Sequence, residues 1–205
     1  MKTCNFSLRR ARLDDDICAI AKYIYLTDPY IYPSIADNYE SKDWISIVSQ
    51  CYRMNDNLFY YKNIFVAIAD EHIIGICCII PNKKHLEFNK RLNLSDALTQ
   101  KIKGVVAGYF EPLLNESLDL EGYSVVNLCI DPMLRGLGFG KKLLEYAMKE
   151  VQSKVFYLDV IADNVSAICV YKSLLFEIEK EYYGFLNETS SILCYRMKGT
   201  LNSSI

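Results

Sequence analysis

The segment DPMLRGLGFGKKLL (131–144) places three glycines at alternate positions between an apolar strand pattern and an amphipathic helix pattern. YSVVNLCI (123–130) precedes it and predicts a strand, whereas GKKLLEYAMKEVQ (140–152) carries one apolar face at helical spacing. VFYLDVIA (155–162) predicts the next strand. A strand, a glycine-rich turn, a helix and a strand in close succession restrict the chain to folds that combine a sheet with packed helices.

The remaining segments continue the alternation of strands and helices. The near-continuous apolar runs at 64–70 and 73–80 predict an antiparallel hairpin that is covered on both faces. Residues 82–121 interrupt the pattern and are predicted to be an insertion between two strands, with a helical stretch at 94–110. The other predicted elements are a strand at 6–11, helices at 14–26, 39–54 and 164–174, a loop at 27–38, and a closing hairpin at 176–185 and 191–198.

Length and charge limit the classes of protein and partner. The 205 residues and the 51% hydrophobic composition suffice for a sizeable core, and we predict a single domain over residues 1–205. A net charge of −2 argues against a nucleic-acid or anionic-membrane binder, because both depend on Lys and Arg. The N-terminus lacks the apolar core of a signal peptide, and no apolar run reaches the ~20 residues of a membrane span. The sequence therefore predicts a cytoplasmic protein.

The eight cysteines follow no metal-binding pattern. No C-x-x-C pair occurs, and neither His72 nor His85 is placed to complete a zinc site, so no metal is predicted. The position of several cysteines in apolar runs favours buried free thiols in a reducing compartment. A nucleophilic cysteine stays an alternative, although no histidine is placed to activate one. The cysteines in apolar runs are Cys77, Cys78, Cys129 and Cys194.

The glycine segment has the properties of an anion-binding loop. A helix N-terminus carries unpaired N–H groups and a partial positive charge, and glycines let a ligand approach that backbone because no Cβ blocks it. Arg135 adds a permanent positive charge, so the combination fits a pyrophosphate. A turn that only joins strand to helix stays an alternative. A dinucleotide fold fits less well, because it requires G-x-G-x-x-G, although Asp159 imitates its ribose-binding acid. A Walker loop is excluded by Lys142, which replaces the required Ser or Thr.

Two segments resemble the GCN5-related N-acetyltransferase (GNAT) family. RGLGFG behind LCIDP resembles its acetyl-CoA signature, [RQ]-x-x-G-x-[GA], with Arg135, Gly138 and Gly140 at the fixed positions. VFYLDVIADNVSAICVYKSLLFE resembles the following strand and helix of the family. There an asparagine contacts the cofactor and a tyrosine seven residues later lies near its sulfur, and these positions are Asn164 and Tyr171 here.

The resemblance covers about residues 122–185, while the N-terminal half agrees only in the order of its elements. It implies an α/β (α+β) fold with a central mixed, mostly antiparallel sheet of about six or seven strands and helices on both faces. It also implies transfer of an acetyl group from acetyl-CoA, as co-substrate, to a primary amine, with Tyr171 as general acid for the departing thiolate. The backbone of Leu128, Cys129 and Ile130 would hold the pantetheine arm like an added strand. The implied cofactor residues are, in addition, Arg135, Gly136, Leu137, Gly138, Phe139, Gly140, Lys141, Asn164 and Tyr171.

The sequence leaves the acceptor and the general base open. The 27–38 loop lies where the family usually places the acceptor, so Asp28, Tyr30 and Tyr32 are candidates for a cationic amine, with ordinary packed aromatics as the alternative. The 82–121 insertion would form the pocket wall. Asn127 cannot accept a proton, and the candidate bases are Glu121, Glu111 and a water chain.

Two alternatives concern function and assembly. The acceptor is a small-molecule or peptide amine if the chain is an enzyme, whereas a non-catalytic acyl-CoA-binding or sensor module on the same fold needs no acceptor. The missing base and a departure from the family pattern at Leu175 motivate that second interpretation. The oligomeric state is open, with a homodimer as one possibility.

Leu175 departs from the family pattern, which usually has glycine before the next strand. A left-handed leucine would cost ~1 kcal/mol or more. We therefore expect a helix exit of different shape, which leaves the cofactor residues intact.

Overall fold

The computed structural model describes residues 5–55, 58–83, 121–187 and 190–201. The predicted 94–110 helix and most of the 82–121 insertion lie outside these ranges. No helix within them is long and apolar enough to cross a membrane. The strands are β1 (Phe6–Arg10), β2 (Ile64–Ala69), β3 (His72–Pro81), β4 (Tyr123–Ile130), β5 (Val155–Ile161), β6 (Phe176–Asn187) and β7 (Ser190–Thr200), and the α-helices are α1 (Ile17–Tyr25), α2 (Ile31–Ile35), α3 (Lys42–Arg53), α4 (Phe139–Val151) and α5 (Val165–Lys172).

The strands form a seven-stranded mixed sheet in the order β1-β2-β3-β4-β5-β7-β6. β4 and β5 are parallel, with Tyr123, Ser124 and Val125 opposite residues 156–158. The β1–β2, β2–β3, β5–β7 and β6–β7 pairs are antiparallel. The predicted mixed, mostly antiparallel sheet with helices is confirmed.

The chain divides into two compact units. The first comprises residues 1–79 and 126–151. Its α4 buries one face through Leu143, Leu144, Ala147 and Met148, as the spacing predicts. The indole N–H of Trp44 donates to the Ala21 carbonyl at 2.9 Å and joins α3 to α1.

The second unit comprises residues 80–125 and 152–205. Phe156 and Phe176 are almost fully buried, and both face Gly199 of β7. A Cβ on Gly199 would lie 2.9 Å from the Phe176 ring, so this close packing requires a residue without a side chain. α5 packs on β6 through the Tyr171 ring, whose centre is 6.0 Å from that of Phe176.

The 27–38 segment, predicted as a loop, contains the short helix α2. The Asp28 carboxylate starts this turn by accepting the N–H groups of Tyr30 at 2.8 Å and Ile31 at 2.7 Å. Pro33 is tolerated because the first turn of a helix needs no intrahelical N–H donor. A five-residue helix is too short to show a periodic pattern, so no sequence pattern indicated it.

Leu175 adopts the left-handed conformation with φ +64°, so the expectation of a different helix exit is wrong. Its N–H donates to the Lys172 carbonyl at 3.1 Å, which closes the end of α5 in the way that a glycine usually does. The side chain is 70% exposed, so no steric conflict with the core forced another route.

Leu175→Gly is expected to raise the free energy of unfolding by about 1 kcal/mol, because glycine lacks the Cβ that strains this conformation. Urea denaturation measures the change. Leu175→Ala is the matched control, because it removes the exposed side chain but keeps the strain. Equal stability of the Gly and Ala variants would contradict the strain.

Candidate functional site

Asp131 fixes the start of the glycine segment in the first unit. Its backbone N–H donates to the Ile74 carbonyl at 2.8 Å, and its carboxylate accepts the Met133 N–H at 3.0 Å. The other carboxylate oxygen accepts the Tyr23 hydroxyl at 3.0 Å and the Lys22 ammonium at 3.3 Å. The Met133 N–H and these two α1 side chains hold the pKa of Asp131 below its usual value, against a smaller opposing effect of burial. The segment thus leaves β4 from a defined point.

The glycine segment itself is exposed and conformationally unusual. Gly136 and Gly138 have φ +80° and +79°, a region that side chains rarely adopt. A Cβ at either position would meet no atom within 4 Å, so the space beside the backbone is open. α4 begins at Phe139, and its first-turn N–H groups lack intrahelical acceptors. This arrangement fits the pyrophosphate that the sequence predicts.

The Arg135 side chain reaches back to the end of β4. Its Nε–H donates to the Ile130 carbonyl at 3.3 Å, while the residue as a whole is exposed. The guanidinium thus stands beside the glycine turn with a fixed positive charge. β4 pairs with β5 as far as Val125. The last three residues of β4, Leu128, Cys129 and Ile130, lie beyond that pairing. Their contact with a pantetheine arm stays a prediction.

The buried thiols are poorly suited to nucleophilic catalysis. Burial raises the pKa of Cys78 to about 12, and it raises that of Cys77 as well. It also raises the pKa of Cys129, although Arg135 opposes the effect. Cys194 is only half-buried, so its apolar run overstated its burial.

Thiol labelling of the native protein at pH 8 should modify Cys18 and Cys169, which are exposed, well before Cys77 and Cys78. Peptide mass mapping with time measures the order. Unfolded protein is the control, since all four sites should then react at similar rates. Fast labelling of Cys77 in the native state would show that β3 opens readily.

Asn164 and Tyr171 lie at opposite ends of α5 in the second unit. The Asn164 side-chain oxygen caps the helix by accepting the Ala167 N–H at 3.2 Å, which leaves its amide N–H₂ as the group to face a ligand. The residue is exposed, whereas Tyr171 is buried with 8% exposure. The cofactor contacts predicted for both residues stay predictions.

Asp159 is occupied by an ion pair. It accepts two N–H groups of Arg196, at 3.0 and 3.1 Å, and Arg196 is buried. Burial raises the pKa of Tyr182, and the charge of Asp159 adds to the effect. A carboxylate held this way does not resemble a ribose-binding acid, which agrees with the mismatch of the glycine spacing.

One candidate acceptor residue of the first unit, Tyr32, contacts Asn127, which the sequence only excluded as a base. The Asn127 amide nitrogen donates to the Thr27 hydroxyl at 2.6 Å and to the Tyr32 hydroxyl at 3.1 Å. Burial raises the pKa of both Asp28 and Tyr32. A polar residue in an otherwise apolar strand pattern was the signal that could have found this contact.

The general base stays open. Glu121 is exposed and Glu111 lies outside the described ranges. Within those ranges, no group of three or more His, Cys, Asp or Glu side chains is arranged to hold a metal ion.

Comparison with known proteins points to one family. The sequence model of the acetyltransferase (GNAT) family matches residues 29–176. The ribosomal protein bS18-alanine N-acetyltransferase of Escherichia coli K12 is 30% identical over 96 residues, which are 44% of this chain and 61% of that protein. The alignment thus spans less than two thirds of this relative.

Solved structures share the fold. An N-acetyltransferase from Staphylococcus aureus Mu50 has a TM-score of 0.69 at 17% identity, over 94% of this chain and 99% of the other. The yncA protein of Salmonella typhimurium, solved with its cofactor acetyl-CoA, has a TM-score of 0.60 at 16% identity, over 97% and 95% of the two chains.

Proposed function

The chain belongs to the GNAT acetyltransferase family, and from this premise we propose that it is an N-acetyltransferase that moves an acetyl group from acetyl-CoA to a primary amine. The observation that carries the proposal is the glycine segment. Two left-handed glycines with open space beside them stand directly before the N-terminus of a 13-residue helix. A pyrophosphate needs N–H donors and an unobstructed approach, and this segment offers both.

Each candidate residue has a role in this reaction. The first-turn N–H groups of α4 and the Arg135 guanidinium bind the pyrophosphate, and the Asn164 amide N–H₂ donates to the cofactor. Bound acetyl-CoA supplies an activated thioester. Tyr171 gives its phenolic proton to the thiolate that leaves when the amine attacks. The amine must be neutral to attack, and its surplus proton passes to a base or to water.

A peptide amine is the first acceptor to test. The relative from Escherichia coli is named for acetylation of an alanine of a ribosomal protein. The panel should therefore contain peptides with N-terminal alanine beside small primary amines.

Calorimetry with acetyl-CoA and a thiol-release assay with this panel test the proposal. We expect saturable binding together with amine-dependent release of CoA. Absence of binding at millimolar acetyl-CoA would refute the proposal. Binding without turnover on any amine would favour the acyl-CoA sensor, the second candidate, which the unassigned base supports.

Location and assembly are part of the proposal. We infer a cytoplasmic protein, because a reaction that consumes acetyl-CoA needs a compartment that supplies this metabolite. The single domain over 1–205 and a homodimer stay predictions, which limited proteolysis and light scattering would test.

A further inference from the structure

Asn127 is a buried polar side chain with one unused group. It is 3% exposed, and its side-chain oxygen Oδ1 is buried without a hydrogen-bond partner among the described residues. Its amide nitrogen is fully used, because it donates to Thr27 and Tyr32. The side chain therefore links β4 to the turn after α1 and presents one free acceptor.

The hydrogen-bond network fixes which end of the amide is free. The Thr27 hydroxyl donates its single proton to the Ile24 carbonyl at 2.6 Å. It can then only accept from Asn127, so the atom that faces it must be the nitrogen. The oxygen consequently points away from Thr27 and remains the unsatisfied group.

A buried carbonyl oxygen without a donor is costly, by about 1–3 kcal/mol, and such groups are rare in folded proteins. The oxygen accepts only, so the missing partner must be an N–H or O–H group. Asn127 directly precedes Leu128, Cys129 and Ile130, the predicted pantetheine-binding residues. A donor at this point would therefore lie next to the thioester end of the cofactor.

We propose that Asn127 Oδ1 is the hydrogen-bond acceptor for the amino group of the acyl acceptor. This inference rests on the proposed acetyltransferase function and deepens it. Thr27 and Tyr32 are the residues that hold the amide in place, and the Asp28 charge lies near Tyr32. A primary amine has two N–H bonds when neutral. One N–H donates to Oδ1, which orients the lone pair toward the thioester carbon.

The role of an amide here follows from its chemistry. An amide oxygen accepts an N–H, so it orients a neutral amine and leaves the attacking lone pair free, whereas a hydrogen-bond donor at this point would engage that lone pair. The new N–C bond forms as the C–S bond breaks, the thiolate receives a proton from the acid, and the nitrogen loses one proton to the base.

Asn127→Ala is expected to lower kcat/KM for the alanine peptide about tenfold, mainly through KM for the amine, since one hydrogen bond is lost. The calorimetric Kd for acetyl-CoA should change less than about twofold. Thr27→Val removes one of the two bonds that hold the amide but leaves the oxygen and the Tyr32 contact, so it should lower kcat/KM less than Asn127→Ala does. If both variants lose the same activity, Asn127 is only a structural link and the proposal is overturned.

An N-methylated form of the same peptide provides a test that does not depend on one variant. Its neutral amine has a single N–H, which cannot both stay on Oδ1 and pass to the base, so we expect wild-type kcat/KM to be at least about tenfold lower than for the primary amine. In Asn127→Ala, the kcat/KM values for the primary and the N-methylated peptide should differ by a smaller factor than in the wild type. An equal rate for both peptides in the wild type would overturn the proposal, even if the variant does not fold.

The remaining outcomes separate the two levels of the proposal. A raised Kd for acetyl-CoA with unchanged amine kinetics in Asn127→Ala would assign the oxygen to the cofactor arm and overturn the inference alone. A wild-type protein that acetylates no amine would refute the proposed function, and the inference with it.

Discussion

Gly138→Glu is expected to abolish acetyl-CoA binding and to leave the fold intact. Gly138 has φ +79°, so any side chain strains the backbone there by about 1–2 kcal/mol. The carboxylate would also extend into the open space beside the loop and place a negative charge where the pyrophosphate is expected. At least a hundredfold rise in the calorimetric Kd should follow, because an unfavourable charge replaces the favourable field of the helix N-terminus.

Three further variants separate the causes of this loss. Gly138→Ala introduces the strain without the charge and should weaken binding less. Gly140→Ala should change the affinity least, because the signature admits alanine at this position and its Cβ would lie at an ordinary 3.6 Å from the Ile130 side chain. Arg135→Ala should be milder than Gly138→Glu, because the backbone donors remain. Unchanged affinity in a folded Gly138→Glu protein would show that the phosphates bind elsewhere.

The fold was largely predictable because strong local sequence patterns determine most of its strands and helices. β4 has the predicted bounds of 123–130, since Asp131 and Pro132 end the apolar run abruptly. α1 begins at Ile17 rather than at 14, because the Asp16 carboxylate caps it by accepting the N–H groups of Cys18 and Ala19. Residues 14–16 are all aspartate, so the sequence alone does not show which of them caps the helix.

The errors have a different physical origin. Leu175 was expected to avoid the left-handed region, but the strain of ~1 kcal/mol is small beside the packing of α5 and β6 that fixes the backbone. Rules for single residues give a preference, and tertiary packing overrides it. Nothing in the local sequence around position 175 reports on that packing.

Of the two parts of the candidate site, the glycine segment could be predicted from the sequence and the Asn127 network could not. The glycine segment could be identified as a candidate because a pyrophosphate would bind to the backbone of consecutive residues, so their spacing carries the information. The Asn127 network joins residues that are 95 and 100 positions apart, and such contacts leave no pattern in one sequence. The contact between Asn127 and the 27–38 segment was missed for this reason.

Tyr171→Phe is expected to lower kcat about a hundredfold with little change in the Kd for acetyl-CoA. The ring is buried against Phe176 with centres 6.0 Å apart, and phenylalanine keeps this packing. The variant removes the proton that the proposed acid would give to the thiolate. This interaction forms only as the C–S bond breaks, so the loss should affect turnover rather than binding.

The size of the effect follows from the leaving group. General acid catalysis contributes roughly 10²–10⁴-fold, and a thiolate leaves without much assistance, so the lower end applies. Tyr183→Phe is the matched control, because Tyr183 is 60% exposed on β6 and has no proposed role. A full-rate Tyr171→Phe enzyme would show that water or another group protonates the sulfur. A variant that loses acetyl-CoA affinity would show instead that the hydroxyl binds the cofactor, since only a binding contact lowers affinity before any bond has broken.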